Sequence, residues 1–276
     1  MMILIGLLLA VLIALAAYVA RALSVSGALA AAVLGTVVFG LGGWGATFML
    51  LTFFVSSSLL SKLFKKQKTK AEEKFSKGSR RDAMQVLANG GTAGIFVLLQ
   101  PLFPNQVWIY VGLAASLAAA NADTWATELG VLSRTSPRLI TTGQKVEPGT
   151  SGGISAAGSL AALAGSMLVT FVGLFFFPGG EGISFGILLL FGGCITVGGL
   201  AGSMVDSWLG ATHQAIYYCP QCAKETEKHP LHSCGTATTL LRGFKWMNND
   251  WVNITCTLSG ALVGLCLALL LQVLFI

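Results

Sequence analysis

Asn121, Asp123, Thr124, Thr127 and Glu128 fall close together in AANADTWATELG, residues 119–130, a stretch that is otherwise apolar. On a helix turning about 100° per residue they share an arc of roughly 160°, with Ala122, Trp125 and Ala126 opposite. Carboxylates on a lipid-embedded helix are costly, so they face a bundle interior or a wet cavity and mark a working site. The triplet Asp123-Thr124-Trp125 is echoed by Asp206-Ser207-Trp208 in GGLAGSMVDSWLGAT, and a third acid, Asp250, stands in RGFKWMNNDWVN with Asn249 and Asn253. Carboxylate oxygens in this number suit a hard divalent cation. Magnesium takes one or two of them and fills its shell with phosphate and water. Asp123, Glu128, Asp206 and Asp250 are its expected ligands.

A second set of residues suits phosphate. Arg80 and Arg81 precede a helix on which Arg81, Gln85 and Asn89 follow at four-residue spacing and continue one polar stripe. Guanidinium forks at a helix mouth match phosphate oxygens. Arg138, Lys145, Arg242 and Lys245 border the same plane. Between them Gly149, Thr150, Gly152 and Gly153 open an apolar run, where backbone N–H groups form an anion site. The run has neither a GxGxxG nor a Walker pattern, and taken alone it reads as a plain turn before an N-cap.

The third set is CPQCAKETEKHPLHSCG. Cys219, Cys222, His232 and Cys234 supply CxxC and HxC, four soft ligands able to close a tetrahedral zinc site. Four protein ligands leave no open position, so such a zinc is structural. His229 is a weaker substitute, and Cys194, Cys256 and Cys266 lie in apolar runs as packing residues.

The elements that position these groups must be membrane helices. The chain is 54% hydrophobic and 10% charged with a mean hydropathy of +0.77, outside the range of soluble globular domains. Apolar spans occur at 3–20, 25–42, 44–61, 83–100, 107–128, 152–177, 185–207 and 252–275. With the N-terminus outside, the inside segments 21–24, 62–82, 129–151 and 208–251 hold all 17 Lys and Arg, which fixes both orientation and the count of eight. The net charge of +6 is therefore a topology signal, and no nucleic-acid partner is expected. The first run has no basic n-region and reads as a retained helix. Residues 62–77 form a solvated loop that meets anionic lipid head groups. Small residues such as Gly27, Ala31 and Gly35 allow close helix packing or room for a lipid tail. The expected fold is all-α: one polytopic transmembrane bundle over 1–276, with a small inside Cys/His loop at 213–250. The expected location is a bacterial plasma membrane, with the polar site on the cytoplasmic face.

Acids for a metal and cations for phosphates beside a greasy groove imply a phosphorylated lipid meeting a nucleotide. A phosphate monoester, with a second pKa of about 6, is already ionised near neutral pH and needs no general base. A transporter would instead place its acids near the midplane of broken, inverted repeats, and none is apparent. A non-catalytic scaffold would tolerate loss of Asp123.

GSRRDAMQVLANGG, NADTWATELG, SPRLITTGQKVEPGTSGGIS, the CxxC/HxCG loop and RGFKWMNNDWVN, in this order, resemble the transmembrane-protein-19 family (domain of unknown function family 92), whose characterised plant branch is phytyl-phosphate kinase. More distantly, the Asp, SP, EPGT and Gly/Ser-rich order is similar to phosphatidate cytidylyltransferases and CTP-dependent polyprenol kinases. The resemblance implies a kinase passing the terminal phosphoryl group of a nucleoside triphosphate, CTP above all, to a prenyl or phytyl monophosphate. It implies Asp123 as a magnesium ligand, with Lys145 and the 149–153 turn on the nucleotide phosphates and Asp206 and Asp250 completing the site. Arg80, Arg81, Asn89, Asn121, Thr124, Arg138, Ser207, Arg242, Asn249 and Asn253 are the further expected binding residues. Cytidylyl transfer to a lipid phosphate, phosphorylation of a lipid alcohol, and lipid-phosphate or ion-coupled transport are the alternatives.

Overall fold

The computed structural model describes residues 2–64, 78, 80–104, 106–133, 135–179 and 182–275. Arg134 and the cations between 65 and 77, expected to meet lipid head groups, lie outside the described residues. Seven helices follow in order: α1 (Met2–Val19), α2 (Val25–Leu63), α3 (Ala83–Leu99), α4 (Val107–Gly130), α5 (Ala156–Phe175), α6 (Phe185–Thr212) and α7 (Asn249–Phe275). Six are long and apolar enough to cross a membrane; the exception is α4, the helix of Asp123 and Glu128.

Helix α2 is two passes. Gly43 has φ 68° and ψ −168°, a conformation open in practice to glycine alone, and there the helix doubles back. Ser24 N–H donates to Arg81 O at 2.9 Å, while Arg81 Nη2 donates to Ser57 Oγ at 2.8 Å. A straight helix would hold residues 24 and 57 about 50 Å apart. Lys62 Nζ likewise reaches Ala20 O at 2.8 Å. The arms 25–42 and 44–63 are thus the second and third of eight passes, joined with no intervening loop.

The helix starts follow local chemistry. Ser24, Ser155 and Ser184 cap α2, α5 and α6, and Asp82 with Gln85 forms a full capping box on α3. Helix α5 begins at Ala156, later than the 152 expected from hydropathy, because Gly153–Ile154 is spent as a strand.

Helix α4 is the hub. Every residue from Ile109 to Ala122 is buried, with α2, α3, α5, α6 and α7 packed around it. Glycines let backbones approach: a Cβ at Gly198 would stand 2.6 Å from Gly260 O, and one at Gly202 2.6 Å from Cys256 O. Buried polar groups cross-link the same region. Asn121 Nδ2 donates to Gly165 O at 2.8 Å, and Thr92 and Thr257 hydroxyls share a bond of 2.9 Å.

At the end of the bundle that carries the described cations, the long connections fold into two small sheets absent from the all-helical expectation. Strands β1 (Arg138–Leu139) and β2 (Gly153–Ile154) pair antiparallel, Leu139 opposite Gly153. Strands β3 (Ile216–Cys219), β4 (Lys224–Thr226) and β5 (Thr239–Arg242) form an antiparallel sheet in the order β4-β3-β5. These two sheets close over the helix ends.

Candidate functional site: a polar cavity beside an apolar groove

A cavity of about 320 Å³ lies where α3, α4, α6 and α7 end beneath the 148–155 loop. Its floor is Asp123, Thr124 and Thr127 of α4 with Ser203, Asp206 and Ser207 of α6. Arg81, Gln85 and Asn89 line one side, Asn249 and Asn253 another, and Gly149, Thr150, Ser151, Gly152 and Gly153 the roof.

The Asp123 and Asp206 carboxyl groups lie side by side in the cavity, although they come from different helices. Two carboxyls in direct contact require a shared proton or a cation between them. Asp206 Oδ2 is buried with no hydrogen-bond partner among the described residues. An unsatisfied buried oxygen on an acid pair fits a divalent ion.

The four expected acids do not converge on one ion. Among the described residues no three carboxylates come within ligand distance of a common point. Glu128 lines the cavity but its carboxylate takes the Ser61 hydroxyl, because the last turn of α4 faces the end of α2. Asp250 is buried in the first turn of α7, where its N–H donates to Asn248 Oδ1, and its side chain does not reach the cavity wall.

Most of the expected cations are also placed elsewhere. Arg80 Nε donates to Leu23 O at 2.8 Å and its guanidinium lies over the Tyr18 ring, so it ties α1 to α3. Arg138 donates to Gly143 O, and Lys145, bridged to Arg138 across a tight turn, is exposed. Neither lines the cavity, and neither does Lys245. Arg242 acts as a strut: its Nη1 donates to Gly210 O at 2.6 Å and its Nη2 to Ser151 O at 3.3 Å. Asn121 is fully buried between Ser56 and Gly165 and holds helices together.

Arg81 is the cation that remains at the wall. Nη2 donates to Ser57, and the ring faces of Phe53 and Phe54 flank the guanidinium, but Nη1 is buried without a partner among the described residues. Burial pulls its pKa down to about 10. A charged group held this way is set for an anion.

The roof is narrower in its chemistry than its glycines imply. Thr150 and Gly153 N–H groups donate to Glu147 O and Thr150 O, inside the loop itself. Gly152, at φ 84°, has no room for a side chain: a Cβ would stand 2.5 Å from Ala211 N. Ser151 Oγ donates to Glu227 Oε1 at 3.1 Å, and Gln214 Nε2 donates to the same oxygen at 2.9 Å. Glu227 and Gln214 line the cavity, and nothing in their sequence setting marks them. Gln85 is different, since its place on the Arg81–Asn89 stripe foreshadows it.

A second, apolar cavity of about 70 Å³ lies between α1, the two arms of α2 and α3. Ala10, Ala14, Ala17, Ala31, Leu34 and Phe53 are among its walls. Arg81, Gln85 and Asn89 line both spaces, so a greasy groove and a polar chamber meet at one arginine.

Beyond the chamber, Cys219, Cys222, His232 and Cys234 bring their ligand atoms within 4.8 Å of one another. His229 stands apart, stacked on the Tyr217 ring at 4.3 Å.

An eight-pass helical bundle with an acid pair, a buried arginine and a small apolar groove at one end defines a polytopic integral membrane protein. The chain belongs to the integral membrane protein family DUF92, whose pattern matches residues 8–261. It is 35% identical to "Protein PGR" of Arabidopsis thaliana over 90% of this chain and 89% of that protein. It is 31% identical to the "uncharacterized membrane protein MJ0933" of Methanocaldococcus jannaschii, over 88% of this chain and 85% of that one. A third relative, the "uncharacterized membrane protein sll0875" of Synechocystis, is 30% identical over 66% of this chain and 68% of its own length. No solved structure matches the chain.

Proposed function

We propose that this protein is a membrane-embedded isoprenyl-phosphate kinase, and the observation that carries the reading is the meeting of the two cavities at Arg81, Gln85 and Asn89. A ligand spanning both must be apolar along its length and anionic at its head. A prenyl or phytyl monophosphate has that form. Its tail lies along α1, α2 and α3, and its phosphate accepts from Arg81 Nη1. The proposed setting is the cytoplasmic face of a bacterial plasma membrane, the side to which the positive-inside rule assigns the cations.

Asp123 and Asp206 would hold magnesium, which when bound neutralises charge on the phosphates of a nucleoside triphosphate, CTP above all. Thr150 brings a hydroxyl over the nucleotide phosphates from the roof, and Asn249 and Asn253 orient them from the side. The acceptor phosphate is already ionised, with a second pKa of about 6, so positioning does most of the work and no side chain need take a proton. An oxygen of the lipid phosphate forms the new P–O bond, and the bond from the terminal phosphorus to the nucleotide breaks. The products are a prenyl diphosphate and a nucleoside diphosphate.

The test is turnover by the purified protein in detergent with CTP or ATP, magnesium and a panel of prenyl alcohols and monophosphates. Prenyl diphosphate with nucleoside diphosphate is the expected product pair. Pyrophosphate with a CDP-lipid would make the protein a cytidylyltransferase, and product from the alcohols alone a lipid-alcohol kinase. No turnover, with lipid-phosphate flux in sealed vesicles, would make it a transporter.

A further inference from the structure

We infer that Cys219, Cys222, His232 and Cys234 bind one zinc ion, and that this ion fixes the roof of the polar cavity through Glu227 and Arg242. The inference is independent of what the cavity binds.

The geometry is that of a tetrahedral site. Cys219 and Cys234 sulfurs are 3.6 Å apart, and His232 Nδ1 lies 3.4 Å from Cys234 Sγ. A zinc ion at the usual Zn–S distance of about 2.3 Å separates two sulfurs by about 3.8 Å, and a sulfur and a nitrogen by slightly less. The sulfurs are too far apart for a disulfide, and all six cysteines are free thiols. His232 and Cys219 are buried, which places the ion against the sheet rather than in solvent.

The backbone is arranged for the same purpose. The residue after each second ligand is left-handed: Ala223 at φ 51° after Cys222, and Gly235 at φ 84° after Cys234. Alanine adopts this conformation only where its surroundings impose it. His232 N–H donates to Thr236 O at 2.9 Å, and the Thr236 hydroxyl meets Gln221 in the opposite turn. Two such turns facing each other form a closed clasp with the ligand atoms inside it.

The clasp matters because of what the sheet holds. Cys219 ends β3, Cys222 precedes β4, and the 232–234 turn precedes β5. Glu227, just past β4, takes the Ser151 hydroxyl, while Arg242 of β5 donates to Ser151 O and Gly210 O. Both grips on the glycine roof therefore come from the sheet that the ion closes. Besides the ligand Cys219, the first strand buries only Ile216 and Tyr217. So small a module depends on a metal for its shape.

The test uses the full chain purified in detergent without added metal, with metal content read by inductively coupled plasma mass spectrometry. One zinc per chain is expected. Cys234→Ser should lower zinc affinity at least about ten-fold, whereas Cys266→Ser, on the lipid-facing side of α7, should keep one zinc per chain. A metal-free chain, iron in place of zinc, or full zinc retention by Cys234→Ser would overturn the site. Hydrogen exchange then reads the coupling. Chelation of the wild type should raise exchange in 149–153 while α4 stays protected, and an unchanged roof would overturn the link to the cavity.

Discussion

The two halves of the bundle are packed on different principles. Around α4, α6 and α7 the backbones nearly touch, with Gly198, Gly202 and Gly260 replacing side chains and with Asn121 and the Thr92–Thr257 pair hydrogen-bonded across helices. Around α1 and the arms of α2, similar close approaches at Gly6, Gly35 and Gly40 are interrupted by an apolar gap lined by alanines, and large residues such as Leu8, Leu12, Leu29 and Val33 are exposed on the outer face. Close packing holds Asp123 against Asp206, where an error of about 1 Å is costly to catalysis. Loose packing leaves a space whose contents can vary. Under the proposed function, the fixed chemistry falls to one half and the adaptable substrate part to the other.

The largest expected effect is on the tight half. Asp206→Asn should cut prenyl-phosphate turnover about 1,000-fold, measured by diphosphate formation under saturating substrates. A residual rate near wild type would remove the acid pair from the chemistry. Next, Gly202→Leu should lower stability by about 3 kcal/mol through overpacking, seen as an earlier thermal unfolding transition in detergent. Gly193→Leu on the same helix, where a Cβ meets nothing within 4 Å, is the control and should unfold with the wild type.

At the border between the halves, Arg81→Met should raise the KM for the lipid phosphate about 100-fold, the loss of a charge-assisted contact. The same change removes a buried charge with an unpaired nitrogen, so the substrate-free protein should unfold at the same temperature or higher. Concurrent loss of stability would mean that Arg81 is a structural tie and not an anion site. The smallest effect belongs to the loose half. Ala31→Leu should raise the lipid KM about ten-fold, the weight of one or two buried methylene groups in a filled groove, with the nucleotide KM unchanged. Equal effects on both substrates would break the division between the halves.

Much of this arrangement was legible in the residues. Eight passes follow from hydropathy and from the confinement of cations to alternate connections, and Gly43 needed no loop to keep that count. The acid pair was legible because Asp123 and Asp206 end apolar helices at one surface. What escaped depends on rotation and docking. Asp250 has the right depth but is not part of the chamber wall, which α7 lines with Asn249 and Asn253 instead, a matter of helix phase that composition cannot carry. Lys145 and Arg138 follow a hairpin whose exposed side is set by β1 and β2, strands of two residues each with no periodic signal. Glu227 enters the wall only because a small sheet folds back over the helix ends. Arg242 is drawn off by two carbonyls that only the folded chain presents.

The groove is short. Along α1 its lining runs from Ala17 to Ala10, a rise of about 10 Å. Under the proposed function, a long isoprenoid held there would be inspected near its phosphate and dissolved in the bilayer beyond. Discrimination should thus fall on the shape and saturation of the first units of the chain, with total length passing unread.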